Sequence, residues 1–444
     1  MKIQLSNHFS YDKLIKFTLP SIAMMILTSA YSFVDGFFVS NYAGKTPFAA
    51  INLIMPVLMI LGTVGFMFGT GGTALVALTY GEGDKEKANE YFSLFVFVAF
   101  AIGVILAILG FIFIRPLAVI LGATGDLLEN SVIYGRIILI AIPFFVLQVM
   151  FQSFFVAAEK PQLGFVVTLL SGLTNMILDA VLVLSFPQEW KLVGAALATA
   201  IAQFVGGIIP LIYFLKKNSS ILRLGKTKFY GKALVRASTN GLSEFMTNIS
   251  MSVVSILYNR QLIKYAGENG VAAYGVMMYV SMILTALFVG YSIGAAPVVS
   301  FHFGAENSDE LKNLLRKSLV IVGTFGFVIV VSAECLAGVL ASIFVGYDPE
   351  LCNLTISGFR IYAFAFGFMG FGIFTSGYFT ALNDGVTSAL ISFLRTIVFE
   401  SGAVMILPLL LGIDGIWYAV VISELLALII GVGFLVAKRK KFRY

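Results

Sequence analysis

The sequence predicts an all-α polytopic membrane protein with twelve transmembrane helices. These form two six-helix lobes related by a pseudo-twofold axis along the membrane normal. Three observations carry that expectation: a composition too apolar for a water-soluble core, twelve separate runs long enough to cross a bilayer, and an internal repeat.

Of the 444 residues, 59% are hydrophobic and 12% charged, with a mean hydropathy of +0.96. Soluble domains hold about 45–50% apolar and about 25% charged residues. That surplus cannot be packed inside a soluble core, and Gly 43 and Phe 42 suit membrane helices. Two cysteines, Cys335 and Cys352, make neither a disulfide framework nor a metal site. Two isolated histidines, His8 and His302, exclude a histidine-based catalytic or metal cluster, so an integral membrane enzyme is not expected. No cofactor is expected beyond a coupling ion.

A bilayer core about 30 Å thick needs roughly 20 apolar residues per helix. Read in order, the runs fall near 14–39, 48–78, 91–114, 131–157, 162–186 and 193–215. They continue at 237–262, 271–299, 318–345, 356–381, 385–411 and 414–437. The longest connection, basic and near 216–236, falls between the sixth and seventh. The N-terminus is polar and carries no cleavable signal pattern.

Charge fixes the orientation. Lys216, Lys217, Arg223, Lys226, Lys228, Lys232 and Arg236 crowd the central connection, and Lys438 to Lys441 with Arg443 the tail. About 21 of the 29 basic residues fall on one face, which the positive-inside rule makes cytoplasmic, with both termini. The setting expected is the cytoplasmic membrane of a bacterial-type cell, multi-pass. The net charge of +6 therefore reads as a membrane signal, and the KRKK run as an inner-surface stop rather than a nucleic-acid patch.

The repeat divides the chain. Tyr42-Ala43-Gly44 recurs as Tyr265-Ala266-Gly267, Gly71 as Gly294 and Gly81 as Gly304, at a shift of 223. Ser171, Pro187 and Gly194 recur as Ser392, Pro408 and Gly415 at 221. Residues 1–215 therefore form one lobe, 216–236 a linker and 237–444 a second lobe with the basic tail. An even helix count starts both lobes on the same face, an arrangement suited to a secondary transporter with a central cavity.

An ionisable group at bilayer depth costs about 2.5–3.5 kcal/mol even on lenient scales and marks function by default. Asp35, Asp179, Glu244, Glu334, Arg395, Glu400 and Glu424 stand in that position. At 1.5 Å per residue, Asp35, Asp179 and Thr199 lie roughly 6–10 Å below the outer edge. Asn175 is one turn from Asp179 on the same helix face. Two carboxylates, an amide and a hydroxyl at one level suit a proton or Na⁺, so Asp35, Asn175, Asp179 and Thr199 form the candidate cation-coupling site. The competing reading has each acid neutralise a separate arginine or cap a helix break. Glu244 and Asn248, with Met24, Gln148, Gln152 and Tyr258, are candidate cavity residues for organic substrates. For Glu244, pairing with Arg395 is the alternative. Pro20, inside the first helix, removes one backbone hydrogen bond and is a candidate hinge.

These residues resemble the multidrug and toxic compound extrusion (MATE) family of cation-coupled antiporters along essentially the whole chain. The matching segments include Val34-Asp35, Gly71-Gly72-Thr73-Ala74, Asn175-Met176-Ile177-Leu178-Asp179 and Gly304-Ala305-Glu306-Asn307. The NxxxD pair with the first-helix Asp resembles the N-lobe cation site of the DinF-like branch, and Asn240-Gly241-Leu242-Ser243-Glu244 looks like the MepA-like bacterial subgroup. The resemblance implies a V-shaped pair of lobes that expels drug-like, often cationic compounds by alternating access, driven by H⁺ or Na⁺. A monomer in the lipid bilayer is expected, with no nucleic-acid partner. A major-facilitator transporter is disfavoured, because Tyr80-Gly81-Glu82-Gly83-Asp84-Lys85 replaces that family's basic loop. A lipid-linked-sugar flippase of the same superfamily is the alternative function.

Overall fold

A computed structural model describes residues 3–444, and every regular element among them is helical. The spans are α1 (Tyr11–Ala43), α2 (Thr46–Gly81), α3 (Lys85–Ile120), α4 (Gly125–Ala157), α5 (Pro161–Val183) and α6 (Gln188–Leu215). One 63-residue helix, Leu242–Gly304, folds back at Gly267 (φ 59°), so it supplies two spans, α7 (242–266) and α8 (268–304). Then follow α9 (Ser308–Val345), α10 (Pro349–Ala363 and Phe366–Ala381, bent by 48°), α11 (Gly385–Leu411) and α12 (Ile413–Phe442). Twelve spans result among the described residues. Only glycine takes the φ at position 267 without strain, and its repeat mate Gly44 also has positive φ, at 107°.

Helices run further than the apolar runs predict. α3 begins at Lys85, not near 91, because Asp84 caps it by accepting from the Lys87 amide at 3.1 Å. A polar first turn is satisfied in the headgroup region and costs nothing there. Asn307, the mate of Asp84, caps α9 by accepting from the Glu310 amide, also at 3.1 Å. The repeat thus extends to the caps. Near the seventh span the prediction needs correcting: residues Gly231–Asn240 form a separate short helix, and α7 starts only at Leu242, after Gly241. Gly241 stands at the break packed against α2, where a Cβ would lie 2.1 Å from the Met67 carbonyl oxygen.

Large apolar side chains such as Ile112, Ile120 and Phe327 point outward, as lipid-facing residues should. Two packed cores hold the helices. One is built from residues between Val39 and Ala237 and the other mostly from residues between Val254 and Tyr444, joined by Leu5 to Met24 of the N-terminal segment and early α1. The central connection is strapped under the first core: the Asn89 side chain accepts from the Arg223 amide at 2.6 Å, and Ser93 from that of Gly225 at 3.0 Å.

On the face carrying the basic residues the two cores meet backbone to backbone. A Cβ on Gly81 would lie 2.1 Å from the Phe301 carbonyl oxygen, and one on Gly304 2.1 Å from that of Leu78. The Asn383 side chain reaches across to donate to the Ala74 carbonyl at 3.3 Å. The first lobe's α2 and the second lobe's α8 therefore close this face as a symmetric pair.

The basic tail is pinned by Asp384, which accepts from Lys438 at 2.5 Å. Burial alone would push this carboxyl up, but Lys438, Thr387 and Lys441 outweigh it and hold it below the usual carboxylate range. A depressed carboxyl stabilises the fold above its unfolded pKa of about 4 and loses that contribution as pH falls through the lower folded value. Asp384→Asn should cost about 2 kcal/mol at pH 7 and flatten the acid limb of a thermal-unfolding series. An unchanged acid limb would remove the pair from that account.

Candidate functional site

Asp35 lies in the last turns of α1, just before its regular helix passes at Val39 into a wider π-helical turn ending at Ala43. Asp179 is the first residue of a similar wide turn in α5, Asp179–Val183. Such turns rotate side chains out of the regular register and recur at functional sites. The wide turn after Asp35 is tied down by the Gln188 side chain, which donates to the Ala43 carbonyl at 2.8 Å.

Four predicted residues are brought together from three helices. Asn175 of α5 donates to the Thr199 hydroxyl of α6 at 3.4 Å, and Thr199 donates to Asp35 Oδ1 of α1 at 3.5 Å. Both contacts are long for hydrogen bonds. Asp179 is fully buried and lies against Asp35. Neither of its carboxylate oxygens has a donor among the described residues. No described basic residue forms an ion pair with Asp35 or Asp179, so the reading in which each acid meets its own arginine does not hold among the described residues. Two adjoining carboxylates, one of them without a donor, need a proton or a cation between them.

One participant was not among the predicted residues. Tyr134 of α4 is fully buried, with its hydroxyl beside Thr199 and close to both carboxylates. Its signal was present: Tyr134 sits three residues past the predicted start of the fourth run, the depth at which Asp35 was placed. Depth arithmetic extended from acids to buried phenols finds it.

A cavity of about 330 Å³ lies toward the second lobe. Glu244 and Thr247 of α7 line it together with Ser153 of α4, and Arg395, Glu400 and Glu424 of α11 and α12 line its wall. Glu244 is therefore where a cavity acid was expected, but it is not paired with Arg395. That guanidinium instead grips Glu424 through Nε and Nη2 at 2.6–2.9 Å.

The other five predicted cavity residues do not line this cavity. Met24 is buried in the first half of α1, against the position a Cβ on Gly164 would take. Gln148 is turned inward, donating to the Ser171 hydroxyl at 3.2 Å. Gln152 is buried while its neighbour Ser153 faces the cavity. Asn248 turns back along its helix to donate to the Glu244 carbonyl at 2.8 Å. Tyr258 is fully buried, its ring stacked on that of Tyr274 at 4.7 Å. Each satisfies or packs its side chain locally, which a sequence pattern does not distinguish from facing a cavity. Pro20 lies within the continuous helical part of α1.

The MatE family model matches residues 20–181 and 245–401 of this chain. A curated relative, "Multidrug export protein MepA" of Staphylococcus haemolyticus (strain JCSC1435), is 24% identical over 415 residues, covering 93% of this chain and 90% of the relative. Among solved structures, "Crystal structure of MATE in complex with MaL6" superposes with a TM-score of 0.92 at 22% identity, covering 98% of both chains. "Outward-facing conformation of a multidrug resistance MATE family transporter of the MOP superfamily" does so with 0.92 at 22%, covering 98% of this chain and 97% of that one. At these identities the solved structures establish the fold.

Proposed function

The chain belongs to the MatE family, and from that premise we propose that it is a secondary active efflux antiporter of the bacterial cytoplasmic membrane. It exports organic, often cationic compounds in exchange for H⁺ or Na⁺. The basic face is cytoplasmic, and the lobes 1–215 and 237–444, joined by 216–236, alternate their exposure as two bodies. The observation that carries this reading is the donor-free Asp179 against Asp35, inside one lobe and away from the cavity. An ion captured there acts on substrate only through movement, as alternating access requires. Relatives named as multidrug export proteins support the choice of cargo.

The test is substrate efflux from proteoliposomes with proton and sodium gradients imposed separately. One of the two gradients should accelerate efflux, and dissipating it should return the rate to leak. Efflux indifferent to both would sink the coupling reading. Pro20 is the hinge by which the state of Asp35, fifteen residues along α1, biases the cavity. Pro20→Ala restores a backbone hydrogen bond and should slow gradient-driven efflux about tenfold without unfolding the protein. Unaltered rates would leave Pro20 as a static kink.

A further inference from the structure

The linker between the lobes is fixed at the edge of the membrane. α3 is 36 residues long, about 54 Å against a hydrocarbon core about 30 Å thick, so roughly its first eight residues stand at headgroup level. The linker is tied to that stretch and its border. Asn89 and Ser93 accept from the amides of Arg223 and Gly225. The Thr227 hydroxyl donates to the Glu90 carbonyl at 2.7 Å, and the Tyr230 hydroxyl donates to the Glu90 carboxylate. Further along, α3 turns Phe97 and Ile105 outward, so this part of the linker lies beneath a helix that faces lipid.

Two large apolar side chains on this connection remain uncovered: Phe229 is 80% exposed and Val235 67%. The bases around them, Lys226, Lys228, Lys232 and Arg236, are exposed too, and none makes an ion pair with a described acid. At the start of α3, Asp84 caps the helix, Glu90 holds Tyr230, and Glu86 pairs with no described base. The tail differs, because Asp384 holds Lys438 there. In the short helix Gly231–Asn240, Ala233, Ala237 and Asn240 are buried, which leaves Lys232, Val235 and Arg236 on the outer side.

We propose that the linker is a docking surface for anionic phospholipid. Lys226, Lys228, Lys232 and Arg236 take the phosphate headgroups, and Phe229 enters the acyl boundary. Bases that hold no acid of their own gain most from an anionic leaflet, and an uncovered ring at headgroup level gains from the acyl boundary. A neutral leaflet satisfies only the ring. The proposal stands apart from ion coupling and from which way the protein faces, since it concerns the leaflet at the basic face alone.

The test uses Phe229→Trp in the full-length protein, reconstituted in phosphatidylcholine bilayers that contain brominated phosphatidylglycerol or brominated phosphatidylcholine. Quenching is read in excess of that in the parent protein, whose own tryptophans are Trp190 and Trp417. Phosphatidylglycerol should be preferred about tenfold at low ionic strength, and less as salt is raised. Lys226→Gln, Lys228→Gln, Lys232→Gln and Arg236→Gln together should bring the preference below about twofold while brominated phosphatidylcholine still quenches. Tyr11→Trp is the control on the same face, where Lys16 already pairs with Asp12; there the preference should stay below about threefold. Equal preference at both positions would make it a general property of the basic face and overturns the proposal. A preference that is missing at Phe229→Trp, or that survives the four neutralisations, does the same. Quenching by neither lipid would put the linker in water, open to an acidic soluble partner instead, and also overturns it. The comparison of the two tryptophan variants and their salt dependence decides the matter even if the fourfold variant does not fold.

Discussion

Asp179→Asn should abolish gradient-driven efflux and yet leave the protein at least as stable as wild type. The acid is fully buried and neither oxygen has a donor among the described residues, so its ionised form is a cost to the fold that no donor offsets. Protein mutational data put an unpaired buried polar group at about 1–3 kcal/mol. Asparagine in the same place is itself a buried polar group without a donor and carries a cost of that size, so the exchange should leave stability unchanged or raise it slightly when no ion is bound. A carboxylate that served packing, a cap or an ion pair would behave oppositely, because its loss would orphan a partner.

The two readouts must be taken on one variant. Efflux under the active gradient is expected to fall at least about 100-fold, which is about 2.7 kcal/mol at the limiting step. Thermal unfolding of the same preparation should hold or rise. Asp35→Asn should lose efflux similarly, with a smaller stability gain, because Asp35 already accepts from Thr199. Efflux that survives Asp179→Asn, or a variant several degrees less stable, would return Asp179 to a structural role. A functional residue that burdens its fold is the expected signature of a site kept for activity.

Much of this architecture was legible because bilayer physics leaves few choices. Apolar length sets the spans, the repeat sets the lobes, and depth arithmetic puts Asp35, Asp179 and Thr199 at one level. What it did not give was direction around the helix. The wide turns at Val39 and Asp179 change the register locally, and nothing in the hydropathy of those segments marks them. Gln148 and Asn248 are polar residues at membrane depth, as cavity residues would be, but each finds a local partner instead. Arg395 and Glu424 lie 29 residues apart on different helices, so their pairing needed the packing of α11 against α12. Glu400 was visible as the mate of Asp179, but that it faces the cavity was not.

Substituting either glycine of the α2–α8 seam should bias the transporter toward opening at its basic face. At Gly81 and at Gly304 a Cβ would stand 2.1 Å from a carbonyl oxygen of the other lobe, Phe301 and Leu78 respectively. Neither obstacle is a flexible side chain, so no rotamer change relieves it and the helices themselves must separate. Overpacking of this kind costs about 1–3 kcal/mol, and a cost paid only in the closed arrangement shifts the equilibrium by the same energy, roughly 5- to 150-fold. Because the two positions are repeat mates, Gly81→Ala and Gly304→Ala should act in the same direction and with similar size. Gly275→Ala is the control, since a Cβ there meets nothing within 4 Å. Distance distributions between spin labels on the basic ends of α2 and α8 would report the shift, with the longer-distance population growing in both seam variants and not in the control. Equal distributions in all four proteins would mean that these helices already separate freely, and that the seam does not hold the closed state.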